Sequence, residues 1–88
     1  MENFIIYFTA SWCQPCRITR PIVEELNLKS ENPKFFIVDT DEAIQMKEDF
    51  EIKGVPTYVF IKNGEEVRRE NGSRTKEHLE EFLDYLEQ

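Results

Sequence analysis

Apolar side chains occur in short runs along this chain, and most of these runs have the length and pattern of buried strands. Residues 4–8 are continuously apolar, which is typical of a strand covered on both faces. Residues 35–38 and 57–61 repeat the pattern with β-branched and aromatic side chains. Residues 65–70 are polar and follow Asn63-Gly64, a dipeptide that favours a tight hairpin. The pattern therefore predicts four strands, the last of them an exposed edge.

Three further segments have helical spacing. The first helix should begin close to Cys13, because Pro15 is tolerated in a first turn, where its missing N–H costs nothing. Its apolar stripe is predicted at Ile18, Ile22, Val23 and Leu26. Residues 42–50 predict a second helix, and residues 75–86 predict a third that packs by one apolar face.

The predicted order of elements is β-α-β-α-β-β-α. The first βαβ unit should be a parallel crossover and the last two strands an antiparallel hairpin. We therefore predict an α/β fold, a small four-stranded mixed sheet with helices on both faces. The alternative is an α+β layer with all helices on one side. With 88 residues and no linker, residues 1–88 are expected to form a single domain.

Charge narrows the possible partners. The formal net charge is −7, which disfavours binding to nucleic acid and to anionic membranes. The N-terminal apolar run is too short for a signal peptide, and Glu2 lies where such a peptide would be basic. We therefore expect a cytoplasmic protein that does not bind membranes. In that compartment, a close pair of cysteines is more often catalytic or metal-binding than structural.

Cys13 and Cys16 lie where the first strand passes into the first helix. A helix N-terminus presents unpaired N–H groups and a partial positive charge, which stabilise a thiolate. The pKa of such a cysteine is lowered from ~8.5 into the range of roughly 3.5–7.5. Because the thiolate is the attacking species, we expect Cys13 to attack a disulfide and the more sheltered Cys16 to resolve the mixed disulfide.

Three other interpretations of the cysteines are less consistent with the sequence. A structural disulfide is disfavoured by the expected compartment. A zinc site needs four ligands, and His78, the only other strong candidate, is predicted on the distant last helix. Two ordinary buried cysteines would leave the flanking Trp12 and Pro15 unexplained. We expect no bound metal and no cofactor other than the Cys13–Cys16 disulfide itself.

Several motifs in this order resemble the thioredoxin family. The segment Thr9-Ala10-Ser11-Trp12-Cys13-Gln14-Pro15-Cys16-Arg17 is similar to that family's active-site segment, and Pro21 follows at the family's interval. Gly54-Val55-Pro56-Thr57 is similar to its cis-proline loop, residues 60–64 to its hairpin, and Gly72 to a further family glycine. The resemblance extends over essentially the whole chain.

The resemblance implies a thioredoxin-like fold and a thiol-disulfide oxidoreductase, with Pro56 in the cis isomer facing the cysteines. It implies that the Val55 backbone pairs with an extended substrate segment and that Trp12 lines the groove. Gln14 and Pro15, between the cysteines, complete the expected substrate-binding set. Two plainer interpretations stay open: Gly-Val-Pro is also an ordinary way into a strand, and Trp12 is also interpretable as a loop aromatic that fills the edge of the core. The implied partners are disulfide-containing proteins, with a thioredoxin reductase or glutathione as electron source.

The chain also departs from the family pattern. Most members begin with an additional strand and helix, so the strand between Phe35 and Val38 is expected to be an open apolar edge. Such an edge favours docking of a partner or weak self-association. Tyr7 replaces a buried aspartate that is thought to deprotonate the second cysteine, and Ile37 replaces a lysine that often partners it. Gln14 replaces a glycine without adding charge.

Tyr7 is neutral near pH 7, because its reference pKa is ~10, so we do not expect it to act as a base. Proton removal from Cys16 should then rely on water or on the departing substrate thiolate. The alternative is that Tyr7 and Ile37 are ordinary core residues with no catalytic meaning.

The rival to an oxidoreductase is a non-enzymatic binding module with the same fold, which would serve as a subunit of a larger assembly. Disulfide reduction that depends on Cys13 distinguishes the two.

Overall fold

Four strands and three helices follow one another in the predicted order. The structure, a computed structural model, describes residues 3–88. Its elements are β1 (Phe4–Thr9), α1 (Gln14–Leu28), β2 (Phe35–Asp39), α2 (Ile44–Asp49), β3 (Thr57–Lys62), β4 (Glu65–Asn71) and α3 (Lys76–Leu86). None of these helices is long and apolar enough to cross a membrane.

The strands form one mixed sheet in the order β2-β1-β3-β4. β1 pairs with β2 in parallel, with Ile5 opposite Phe35. β1 pairs with β3 in antiparallel fashion, with Tyr7 opposite Tyr58, and β3 and β4 form the predicted antiparallel hairpin. The polar β4 is an edge strand, as its sequence predicts. The predicted α/β fold class is confirmed.

Each face of the sheet is covered by its own apolar cluster. On one face, Tyr7, Tyr58 and Phe60 pack against buried residues of α1 and α3 such as Val23 and Leu79. On the other face, the cluster contains Ile6, Phe8, Ile52, Val59 and Ile61, with partly buried Met46 and Phe50 at α2 packed against it. Because helices lie on both faces, the alternative of a layer with all helices on one side is wrong.

One predicted core position is wrong. The sequence pattern places Ile18 in the buried stripe of α1, but Ile18 is 62% exposed, whereas its neighbour Thr19 is fully buried. The Thr19 hydroxyl donates a 3.1 Å hydrogen bond to the Pro15 carbonyl one turn earlier, so this polar side chain is buried with its donor satisfied. The rest of the stripe faces inward: Val23 and Leu26 are buried and Ile22 packs against the cluster.

The β2 edge is less open than the sequence predicts. Its outer side carries no further strand among residues 3–88. However, the Asn27 side chain donates to the Phe35 carbonyl at 2.9 Å and accepts from the Phe35 N–H at 3.3 Å. The apolar side chains of the edge are unevenly covered, with Phe35 buried and Phe36 exposed against Phe4. A side chain from α1 therefore occupies part of the position that a neighbouring strand would take.

Candidate active site

The first turn of α1 is organised around the Cys13 sulfur. Cys13 is the N-cap residue, with extended backbone angles of φ −86° and ψ 116°. The Cys16 N–H donates to Cys13 Sγ at 3.3 Å, and the Arg17 N–H donates to the Cys13 carbonyl at 3.2 Å. Pro15 stands in the first turn, where the helix needs no N–H from it. The sequence prediction that the helix begins close to Cys13 is confirmed, because α1 starts at Gln14.

The two cysteines form a disulfide in this structure. Cys13 is 4% exposed and Cys16 is 1% exposed, and both pack with Ala10 and Val55. In this oxidised form the difference in shelter between the two sulfurs is small, so the expected difference in role rests on the helix cap. Cys13 Sγ is the sulfur that accepts the helix N–H, and it is therefore the better stabilised as a thiolate.

The loop before β3 meets the cysteines from the opposite side. The Val55–Pro56 peptide bond is cis, as the resemblance implies, and Pro56 is fully buried. The Val55 carbonyl oxygen lies 3.4 Å from Cys13 Sγ. Two hydrogen bonds hold the loop: the Gly72 N–H donates to the Pro56 carbonyl at 2.9 Å, and the Thr57 hydroxyl donates to the Gly54 carbonyl at 2.6 Å. Nothing in the sequence pattern singled out the Thr57 hydroxyl.

An exposed apolar rim surrounds the disulfide. Trp12 is 65% exposed, so the interpretation of Trp12 as a filler of the core edge is wrong. Gln14 and Pro15 are also exposed, and Val55 is half-buried. Trp12 and Val55 line a small notch of about 30 Å³ that also includes Thr40, Lys47, Ile52, Lys53 and Gly54. The structure thus brings together the predicted site residues, while their substrate-binding roles stay predictions.

A buried tyrosine occupies the position where the family often has an aspartate. Burial raises the pKa of Tyr7 above its ordinary value of 10.0, so Tyr7 stays neutral well beyond physiological pH. The nearby Thr9 hydroxyl offsets part of this rise in pKa, yet neither hydroxyl makes a hydrogen bond of acceptable geometry. Thr9 was not predicted here, although its position two residues from Tyr7 on one strand places both side chains on one face.

In the part of the chain that the structure describes, no set of side chains is placed to bind zinc. Residues 3–88 contain no group of three or more His, Cys, Asp or Glu side chains placed to hold a metal ion. His78 lies at the exposed start of α3, where its backbone N–H donates to the Thr75 hydroxyl as part of the helix cap.

Comparisons with known proteins agree with this geometry. The family model described as Thioredoxin matches residues 1–85. A Thioredoxin H-type protein of Fagopyrum esculentum is 43% identical over 75 residues, which cover 85% of this chain and 65% of that protein. A Thioredoxin of Mycoplasmoides gallisepticum is 34% identical over 82 residues, covering 93% of this chain and 82% of that protein. The X-ray structure of Fasciola hepatica thioredoxin superposes with a TM-score of 0.85 at 33% identity, covering 97% of this chain and 81% of that one.

The chain therefore belongs to the thioredoxin family. It spans between 60% and 67% of the length of the first four plant relatives that it matches. The Cys13–Cys16 pair stands at the family's active-site position.

Proposed function

We propose that this protein is a thiol-disulfide oxidoreductase that reduces disulfides in proteins or small molecules. The observation that carries the proposal is the Cys16 N–H pointing at the Cys13 sulfur from the first turn of α1, at 3.3 Å. A hydrogen-bond donor and the positive end of a helix together favour a thiolate at Cys13 over a thiol. Membership of the thioredoxin family supports the same chemistry.

The proposed reaction runs in two exchange steps. In the reduced protein, the Cys13 thiolate attacks one sulfur of the substrate disulfide, forming a mixed disulfide and releasing the other substrate sulfur as a thiolate. The Cys16 thiol then loses its proton and attacks Cys13 Sγ. The mixed disulfide breaks, the Cys13–Cys16 disulfide forms, and the second substrate sulfur leaves. Two electrons pass to the substrate, which ends as a dithiol.

The proton of Cys16 needs an acceptor, and Tyr7 does not supply one. Burial keeps the Tyr7 phenol protonated, and a protonated phenol is no base. We infer that the substrate thiolate released in the first step, or water, takes this proton. The resolving step thus proceeds without a buried carboxylate.

Substrate binding is proposed at the rim of the disulfide. An extended substrate segment would pair with the Val55 backbone beside Pro56, in the manner of an added strand. Because the Val55 carbonyl lies 3.4 Å from Cys13 Sγ, a segment bound there would run past the attacking sulfur. Trp12 would provide a flat apolar wall, with Gln14 and Pro15 completing the contact surface.

The remaining features of the proposal concern setting and partners. We infer a single domain over residues 1–88, working in the cytoplasm on disulfide-containing proteins without any cofactor besides its own cysteines. A thioredoxin reductase or glutathione would return electrons to the Cys13–Cys16 disulfide. We also propose weak self-association of two copies through the edge strand that contains Phe35 and Val38.

Insulin reduction by dithiothreitol tests the proposed activity. The wild type should accelerate the turbidity that follows release of the insulin B chain, and Cys13→Ser should abolish the acceleration. Serine in place of Cys13 is nearly isosteric, so a fold check by circular dichroism separates lost chemistry from lost structure. If the wild type does not accelerate the turbidity, the proposed reductase activity is wrong and a non-enzymatic binding module is favoured.

A further inference from the structure

The outer side of β2 carries a contact that imitates strand pairing. The Asn27 amide, at the end of α1, donates to the Phe35 carbonyl at 2.9 Å and accepts from the Phe35 N–H at 3.3 Å. A neighbouring strand would satisfy the same two groups of one residue. Asn27 therefore takes the place of one residue of an added strand.

The parallel pairing with β1 determines which groups of β2 face outward. The Ile5 N–H donates to the Lys34 carbonyl, and the Thr40 N–H donates to the Thr9 carbonyl. In a parallel ladder, alternate residues bond to the neighbouring strand, so the even-numbered residues of β2 face β1. The backbone groups of Phe35, Ile37 and Asp39 accordingly face away from the sheet.

Half of these outward backbone groups already have hydrogen-bond partners. Asn27 holds both groups of Phe35, and the Asp39 carbonyl accepts from the Glu42 and Ala43 N–H groups of the following turn. In the described part of the chain, the outward N–H and C=O of Ile37 and the N–H of Asp39 have no hydrogen-bond partner. An added strand can therefore form its full pair of bonds only at Ile37.

We propose that Asn27 is a strand-blocking residue that limits association of a second copy along β2 to a two-bond contact, Ile37 against Ile37. The juxtaposition of the Asn27 amide with the outward backbone of Phe35 carries this proposal. It deepens the self-association proposed above and does not depend on the disulfide chemistry.

The charges and shape of the edge favour an antiparallel second copy. Lys34 precedes the apolar residues and Asp39 and Asp41 follow them, so antiparallel pairing places opposite charges together, whereas parallel pairing places like charges together. Beside Ile37 lies a groove of about 450 Å³ whose apolar lining comes from Leu28, Pro33 and Ile37. With the two Ile37 residues opposite each other, the second copy's isoleucine side chain points to the face that holds this groove.

Removing Asn27 should lengthen the pairing. In this register the Asp39 N–H of each copy faces the Phe35 carbonyl of the other, a carbonyl that Asn27 now occupies. Asn27→Ala frees it, so the contact grows from two backbone bonds to four. Two added hydrogen bonds should strengthen the dimer roughly tenfold or more.

Sedimentation equilibrium of the wild type, Asn27→Ala and Asn32→Ala tests the proposal. Asn32 is the matched control, because it is an exposed asparagine close to β2 that does not line the groove beside Ile37. We expect roughly tenfold or more tighter dimerisation for Asn27→Ala alone. The double variant Asn27→Ala/Ile37→Pro should associate no more tightly than the wild type, because proline removes an outward N–H without removing a bond to β1. Dimerisation of Asn27→Ala no tighter than that of the wild type, or unaffected by Ile37→Pro, overturns the proposal.

Amide hydrogen exchange provides a second test, which uses only the wild type and therefore does not depend on whether a variant folds. In dilute protein, the Phe35 amide should exchange more slowly than the Ile37 amide, because Asn27 protects only the former. Equal exchange rates at these two amides contradict the blocking role of Asn27.

Insulin reduction should be the same for Asn27→Ala and the wild type, so a failure of the edge proposal is distinguishable from a failure of the proposed reductase.

Discussion

The Cys16 N–H donates to the Cys13 sulfur across the first turn of α1, at 3.3 Å. This relationship makes the two cysteines chemically different, although both are buried and only three positions apart in the chain. One sulfur caps the helix and accepts a hydrogen bond, whereas the other belongs to the residue that donates it. The proposed difference in role between the two cysteines rests on this hydrogen bond.

The pKa of the reduced Cys13 thiol should lie below the ~8.5 of a free cysteine, because the helix start stabilises the thiolate. The rate of alkylation by iodoacetamide, measured against pH in Cys16→Ser, reports this pKa directly, since that variant keeps the backbone N–H. The matched variant Cys13→Ser reports the Cys16 thiol and should titrate higher. A Cys13 thiol that titrates at or above ~8.5 removes the basis for its role as the attacking group.

Trp12 should matter for binding and little for folding. Its side chain is 65% exposed, so Trp12→Ala should change the free energy of unfolding by no more than about 0.5 kcal/mol. Loss of an aromatic contact should lower kcat/KM for a protein disulfide by roughly tenfold. Hydroxyethyl disulfide, too small to reach along the rim, serves as the control substrate and should be reduced at nearly the wild-type rate. An equal loss with both substrates contradicts a role in protein recognition.

Tyr7 and Tyr58 provide a matched pair for testing the buried hydroxyls. The Tyr7 hydroxyl has no hydrogen-bond partner, whereas the Tyr58 hydroxyl donates to the Gly72 carbonyl at 3.0 Å. Tyr7→Phe should therefore leave the free energy of unfolding unchanged or raise it by up to about 1 kcal/mol, and Tyr58→Phe should lower it by about 1 kcal/mol. Urea unfolding measures both changes, and equal destabilisation by the two variants contradicts the assignment.

These two tyrosines also predict an alkaline loss of stability. Burial raises the pKa of both phenols in the folded state, so the unfolded chain releases its protons first as pH rises. The stabilising effect is complete below the unfolded pKa of ~10 and is lost as pH rises from there toward the folded pKa values. Tyr7→Phe should make the decline of stability above pH ~10 shallower, while the pH profile of turnover between pH 6 and 9 should keep its shape. A changed pH profile of turnover in Tyr7→Phe would mean that Tyr7 transfers a proton during catalysis, which contradicts our account.

An ion-pair cluster between α1 and α3 predicts an acidic loss of stability. Hydrogen bonds from Lys29 and Lys76 lower the pKa of Glu25 from 4.5 to about 2. Because the folded pKa is lowered, the stabilising effect is complete above pH ~4.5 and disappears as pH falls to about 2. Glu25→Gln should flatten this part of the stability curve. Glu24→Gln, which removes one exposed pair with Arg20, is the control and should leave the curve near that of the wild type.

Much of this molecule could be predicted from the sequence, because its strongest signals are local. Continuous apolar runs gave the buried strands, Asn63-Gly64 gave the hairpin, and the Cys-x-x-Cys segment gave the start of α1. The remaining features depend on pairs of residues that only the fold brings together. Ile18 is exposed and Thr19 is buried, because a hydroxyl bonded to its own helix can be buried, and hydrophobic spacing does not register this.

The β2 edge illustrates the same limit. Comparison with the family pattern predicted an open edge here, and β2 does lie at the side of the sheet. The Asn27 contact forms only because the end of α1 lies beside Phe35 of β2. No sequence pattern predicts that an asparagine at a helix end will bond to a strand. The unpaired Tyr7 and Thr9 hydroxyls are likewise a result of packing.

Trapping of the mixed disulfide tests the central claim most directly. The reduced single-cysteine variants Cys13→Ser and Cys16→Ser are each mixed with a disulfide-containing protein, and intact masses are recorded without reductant. We predict a covalent adduct with Cys16→Ser, in which Cys13 attacks and nothing resolves the product, and little adduct with Cys13→Ser. A covalent adduct with Cys13→Ser, together with no adduct with Cys16→Ser, would contradict the assignment of Cys13 as the attacking thiolate.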